Sequence, residues 1–305
     1  MPNGPANGVY NVARGRSGIG ASVSRPRVIY VGDREWPEFA EPLHWLAARA
    51  NVLFATDIES TVEVLKLEQK PFDLHIVAQV RPGEHTHSSF DSLRCAAPLA
   101  PIVCLLASYC QGETRTGKPW PGAPRMYAHQ FIARVGQQFE RLESQGGLAW
   151  APPFTQTEED RLLASSPINE RPIMARVAVF SDRRETASAL CDLFSYAGCT
   201  VVDRSGDDVD VAIWDCQGDF LASQSSFERL VERWPRTAKI VLMGFPRVVQ
   251  QAAALTSGAA AVVSKPFLAE DLLWQMRQCI VQQRRSGQSA ERGQLTISNP
   301  AAADR

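Results

Sequence analysis

The chain has 305 residues, 45% of them hydrophobic, with a formal net charge of -1. That length exceeds the ~100–200 residues usual for one domain, so two packed domains are expected. No basic helix or run stands out apart from Arg284-Arg285 near the tail, so the electrostatic footprint of a DNA or RNA binder is missing.

Residues 1–25 and 286–305 are polar and Gly/Ser/Ala-rich without apolar periodicity, and are expected to be disordered tails. The first 25 residues hold no apolar core of signal-peptide length, and no later run approaches ~18 apolar residues. The expectation is a soluble, cytoplasmic protein with no membrane or nucleic-acid partner. Its seven cysteines (Cys95, Cys104, Cys110, Cys191, Cys199, Cys216, Cys279) have no CxxC spacing, and read as reduced and largely buried.

Between the tails, short apolar runs alternate with helix-like stretches. Residues 26–142 contain RVIYV, FAEPLHWLAARA, NVLFA, STVEVLKLE, FDLHIVA and PIVCLLA. Continuous Val/Ile/Leu-rich strands separated by amphipathic helices predict a doubly wound parallel sheet, an α/β domain. Gly146-Gly147, Pro152-Pro153, Pro167 and Pro172 among charged residues mark 143–174 as a linker. Over 175–285 the alternation restarts with RVAVF, RETASALCDLFSYAG, CTVV, DVAIW, SSFERLVERW, KIVLM, VVQQAAALTSG, AAVVS and AEDLLWQMRQCIVQQ. Leu190, Leu193 and Phe194, and again Leu272, Leu273 and Met276, fall on single helix faces that suit packing on a sheet.

The halves match each other in order. RVIYVGDRE from Arg27 aligns with RVAVFSDRRE from Arg176, FDLHIVAQ from Phe72 with VDVAIWDC from Val209, and GAPRMYAHQFIAR from Gly122 with GAAAVVSKPFLAE from Gly258. A duplicated domain follows.

The series of FSD at Phe180–Asp182, DVAIWD ending at Asp215, and GAAAVVSKPF with Lys265 resembles the receiver domain of two-component response regulators, CheY-like domains. The resemblance covers about 175–283, and more loosely 26–142. The chemistry of these positions also stands by itself. A carboxylate at the C-terminal edge of a parallel sheet sits where open α/β sheets bind ligands, and can act as a nucleophile toward phosphorus. Asp215 is that candidate. Phosphoryl transfer calls for a hard cation such as Mg²⁺ and a fixed ammonium, which Asp182 with Asp215, and Lys265, respectively could supply.

Two departures follow from the resemblance: Ser181 stands where receivers carry a first acid, and Gly244 where they carry a hydroxyl at the end of the fourth strand. A third is topological. Only DRSGDDVD separates CTVV from DVAIW, so the second helix of this domain is expected to be missing. In the first half Asp33 matches the retained acid, but Gly32, Ala78 and His129-Gln130 replace the neighbouring acid, the acceptor and Lys-Pro. An alanine accepts no phosphoryl group, so this half reads as a pseudo-receiver, with His129 structural.

Other signals have bland alternatives. GETRTGK at 112–118 fits GxxxxGK, but Pro119 follows the lysine and WPGAP precludes the helix that cradles phosphate, so a surface loop replacing the fourth helix is expected. Arg115, Lys118, Trp120 and Arg125 in that loop read either as anchors for a partner or as part of a loop closing over its own domain. Glu84, His85 and His87 in RPGEHTHSS are too few for a convincing metal site, and the histidines read as solvated.

The function expected is that of a non-enzymatic, response-regulator-like protein in a phosphorelay, with Asp215 as acceptor, Mg²⁺ as cation, and a histidine kinase or phosphotransfer protein and other signalling proteins as partners. The competing expectation is a scaffold of two pseudo-receivers. A nucleotide-dependent enzyme built on the 112–118 loop is the third.

Overall fold

Runs such as RVIYV and RVAVF are apolar on both faces of the strand they form, and a sheet covered by helices on each side satisfies them. The computed structural model describes residues 10–11, 25–113, 117–118, 120–145, 148, 150, 172–203 and 208–297. The chain divides into two compact units, 1–166 and 167–305.

The first unit has strands β1 (Tyr10–Asn11), β2 (Arg27–Val31), β3 (Asn51–Ala55), β4 (Leu74–Gln79), β5 (Ile102–Leu106) and β6 (Arg125–Tyr127). Its helices are α1 (Ala40–Arg49), α2 (Ile58–Leu67), α3 (His87–Ala96) and α4 (Ala128–Gln145). The sheet order is β1-β3-β2-β4-β5-β6, parallel throughout except where β1 pairs antiparallel with β3. Successive strand residues alternate between two cores. Val28, Tyr30, Ile76 and Leu105 pack with Leu46 of α1 and with Phe131 and Val135 of α4. Val31, Val77, Cys104 and Leu106 pack with Ile58 of α2 and with Phe90 and Leu93 of α3. Asp57 caps α2 through the Ser60 N–H at 2.7 Å, and Thr86 caps α3 through that of Ser89 at 3.1 Å.

The second unit has β7 (Arg176–Phe180), β8 (Thr200–Val201), β9 (Val211–Asp215), β10 (Ala238–Gly244) and β11 (Ala261–Lys265), all parallel in the order β11-β10-β9-β7-β8. Its helices are α5 (Arg184–Tyr196), α6 (Phe220–Arg233), α7 (Val248–Thr256) and α8 (Ala269–Ile297). Val177, Val179, Ile213 and Leu242 pack against Leu190 and Phe194 of α5 and Leu272 and Met276 of α8. The opposite face carries the small Ala178 and Ala212, and Phe220, Phe227 and Trp234 fill the space above them. Leaving β1 aside, both sheets have the doubly wound order 2-1-3-4-5. The expected fold, two flavodoxin-like or receiver-like α/β domains in tandem, is the one observed.

Among the described residues no helix joins β8 to β9, and the register explains why. Val201 and Val211 both pair with Val177, from opposite sides of β7. The two strand ends to be joined therefore stand at one level, two strand spacings or roughly 10 Å apart, and the usual dozen-residue crossover is not needed.

Several boundaries differ from the sequence reading. Tyr10–Asn11 is a strand and α8 continues to Ile297, although both lie in segments expected to be disordered. The rest of those tails lies outside the described residues. Within the expected linker, α4 reaches Gln145, Leu148 and Trp150 join the first core, and Ile173 is buried in the second. His87 is the first residue of α3 rather than part of a loop. All seven cysteines are free thiols, with Cys95 exposed and Cys191 half-buried. Among the described residues no helix is long and apolar enough to cross a membrane.

Candidate functional site

In the second domain, three strand ends and the loop after β9 converge on Asp215. This residue ends β9, the middle strand, and its side chain is 0% exposed. Lys265, at the end of β11, places Nζ 2.6 Å from Asp215 Oδ1 and also donates to the Cys216 carbonyl at 2.9 Å. Ser181, just past β7, donates its hydroxyl to Asp215 Oδ2 at 2.6 Å, while its oxygen accepts from the Arg183 N–H at 3.2 Å. The exposed Gln217 reaches back from the loop after β9, with Nε2 2.5 Å from the same Oδ2.

Asp215 and Lys265 are thus brought together as expected. Asp182 follows Ser181 at the same edge, but its side chain is exposed. Sequence reasoning treated Ser181 only as a lost acid and missed Gln217. The available signal was the DCQ spacing, which puts an amide two residues beyond Asp215.

A Mg²⁺ site needs carboxylate lone pairs directed at the ion. Here both Asp215 oxygens face N–H or O–H donors, so this donor set does not fit a divalent cation. Burial raises the pKa of the neighbouring Cys216 thiol, which keeps it from competing as a nucleophile. Gly244, in register with Lys265, is exposed, and a Cβ there would meet nothing within 4 Å. The hydroxyl absent from that position is therefore not excluded by crowding.

Among the described residues the first domain has no counterpart to this cluster. Ala78 is 1% exposed, and its carbonyl oxygen lies 3.0 Å from His85 Nε2. That contact corrects the reading of His85 as solvated. Glu84 Oε2 accepts from the Val80 N–H at 2.7 Å and the Arg81 N–H at 3.2 Å, so it braces the loop after β4. Asp33 Oδ1 accepts from the Glu35 N–H at 2.8 Å, a turn contact. His129 stacks on Tyr127 at 5.5 Å, and burial lowers its pKa to about 4. At neutral pH it carries no charge and cannot replace a lysine.

Glu113, near the start of the 112–118 segment, is turned inward. Glu113 is 6% exposed, forms an ion pair with Arg125, and accepts from Gln79 Nε2 at 2.9 Å. A buried, ion-paired carboxylate in GETRTGK counts against phosphate binding there, while residues 114–116 lie outside the described residues. Trp120 is 5% exposed and stacks on Phe90 at 4.5 Å. Trp120 and Arg125 therefore close the loop over its own domain instead of presenting themselves to a partner. Lys118 is exposed, and Arg115 lies outside the described residues.

No protein-family model and no curated protein matches the chain. Among solved structures it is similar to a CheY-like receiver domain protein from Methanospirillum hungatei JF-1, at 17% identity and a TM-score of 0.33, over 37% of this chain and 99% of that one. A receiver domain protein from Clostridium thermocellum gives 21% identity and a TM-score of 0.32, over 36% and 98%. A response regulator from Thermotoga maritima gives 20% and 0.31, over 36% and 99%.

Proposed function

We propose that the chain is a response-regulator-like signalling protein that works through protein–protein contacts, with the receiver-type fold kept as a binding module in both domains. The observation that carries this reading is the state of Asp215, which is wholly buried with both oxygens engaged by Lys265, Ser181 and Gln217. A carboxylate so held is a poor nucleophile, because attack on phosphorus first requires breaking charge-assisted hydrogen bonds. Ala78 makes the same chemistry impossible in the first domain.

The 2.6 Å Lys265–Asp215 pair favours a second reading. In it, an Asp215 oxygen attacks the phosphohistidine of a kinase or phosphotransfer protein. The P–N bond breaks, the imidazole takes a proton, and Lys265 pairs with the new aspartyl phosphate. Asp182 is the acid that remains for Mg²⁺ in that reading. Under either reading the chain is a cytoplasmic signalling protein and not an enzyme.

Incubation of the full chain with acetyl phosphate and Mg²⁺, followed by intact mass spectrometry, separates the two. The expected result is no adduct. A base-labile adduct that disappears in Asp215→Asn would establish the second reading instead.

A further inference from the structure

Asp182 and Asp215 are the acids at this edge, and Lys265 is the ammonium beside them. An acid at position 181 would add a second carboxylate in contact with Asp215, and such a pair is relieved by a proton or a cation held between them. Instead, residue 181 supplies a hydroxyl proton at 2.6 Å, and Gln217 supplies an amide proton at 2.5 Å, to one and the same oxygen. Ser181 is 8% exposed, its hydroxyl oxygen accepts from the Arg183 N–H, and of the two acceptors within its reach Asp215 Oδ2, at 2.6 Å, is closer than the Arg183 carbonyl at 3.2 Å.

We propose that Ser181 and Gln217 stand in the place of a divalent cation. Both bind Asp215 Oδ2, and Ser181 thereby ties the end of β7 to the end of β9, so the second domain holds its site closed without metal. The inference rests on reading this domain as a receiver-type module. It goes further by assigning metal independence to two named residues. Neutral donors can do this because Lys265 already balances Asp215 on the other oxygen. A cation approaching Oδ2 would meet two hydrogens instead of lone pairs.

The test uses the full chain. Thermal unfolding of the wild type is expected to be indifferent to Mg²⁺ or EDTA, and Mn²⁺ should not broaden the amide resonances around Asp215. The Ser181→Asp/Gln217→Ala double variant should gain a saturable, EDTA-reversible rise in Tm of roughly 5 °C or more at saturating Mg²⁺. A folded double variant without that gain would overturn the assignment. So would EDTA-reversible Mn²⁺ broadening centred on Asp215 in the wild type, a measurement that decides the matter even if the double variant does not fold. The phosphoryl assay is independent of this one. An Asp215 adduct in a wild type indifferent to metal would refute the binding-module reading and leave this proposal standing, whereas Mn²⁺ broadening without an adduct would do the reverse.

Discussion

Gly32 abuts Ala78 so closely that a Cβ on the glycine would stand 3.0 Å from the alanine carbonyl oxygen and 3.2 Å from its Cβ, at a φ of +119°. The end of β2 is thus pressed on β4 where a receiver would hold an acid beside its acceptor. Gly32→Ala should therefore destabilise the first domain by about 1–3 kcal/mol, from left-handed strain plus contact. Urea unfolding of the full chain, followed by hydrogen exchange of first-domain amides, measures it. The same crowding predicts that Gly32→Asp/Ala78→Asp does not create a phosphoacceptor.

Gly244 offers the contrast. With open space around its Cβ position, Gly244→Thr should fold normally and gain about 0.5–1 kcal/mol from strand propensity and reduced unfolded-state freedom. A loss of stability in chemical denaturation would show that the end of β10 is more constrained than its surroundings suggest.

His75 is 0% exposed in β4, neither ring nitrogen has a hydrogen-bond partner, and burial lowers its pKa from 6.5 to about 4. The unfolded chain protonates His75 as pH falls below 6.5 while the folded domain resists, so stability is lost progressively from there down to about pH 4. The loss amounts to about 3 kcal/mol. His75→Leu should remove this part of the acid sensitivity and add about 1–2 kcal/mol at pH 7 by eliminating unpaired nitrogens. The check is the pH dependence of the urea midpoint for the first-domain transition. His129 shifts in the same direction and leaves a residual slope in that variant.

The Glu113–Arg125 pair is buried on both sides, at 6% and 15% side-chain exposure. Breaking it with Arg125→Met should cost about 3–5 kcal/mol, because the carboxylate is left uncompensated. Glu113→Gln/Arg125→Met should recover much of that, and a double-mutant cycle by denaturation reads the coupling. Neither change should create or remove ATP affinity, since Pro119 follows the lysine of GETRTGK where a phosphate-cradling helix would begin.

Much of the architecture was legible in the chain. Every strand whose run was read as apolar is present, because burial on both faces leaves a local pattern of apolar runs. Asp215 and Lys265 could be placed at one edge because each ends such a run. The helix α3 was missed, as Thr86 caps it next to histidines that read as a loop. The second domain's short connection was recognised, but its reason was not. It depends on Val201 and Val211 standing at one level across Val177, a matter of register.

The sequence by itself determined the α/β class, its repetition in two halves, the alanine at position 78, and the candidacy of Asp215 with Lys265, since these depend on residue type and on periodicity along neighbouring positions. The tertiary structure alone decided that Trp120 and Arg125 turn inward, that Gly32 is closed by Ala78, and that Ser181 and Gln217 occupy Asp215. These outcomes depend on which side chains meet within hydrogen-bond or van der Waals reach once separate segments pack. Such distances of a few ångströms are set by the whole core and leave no pattern along the chain.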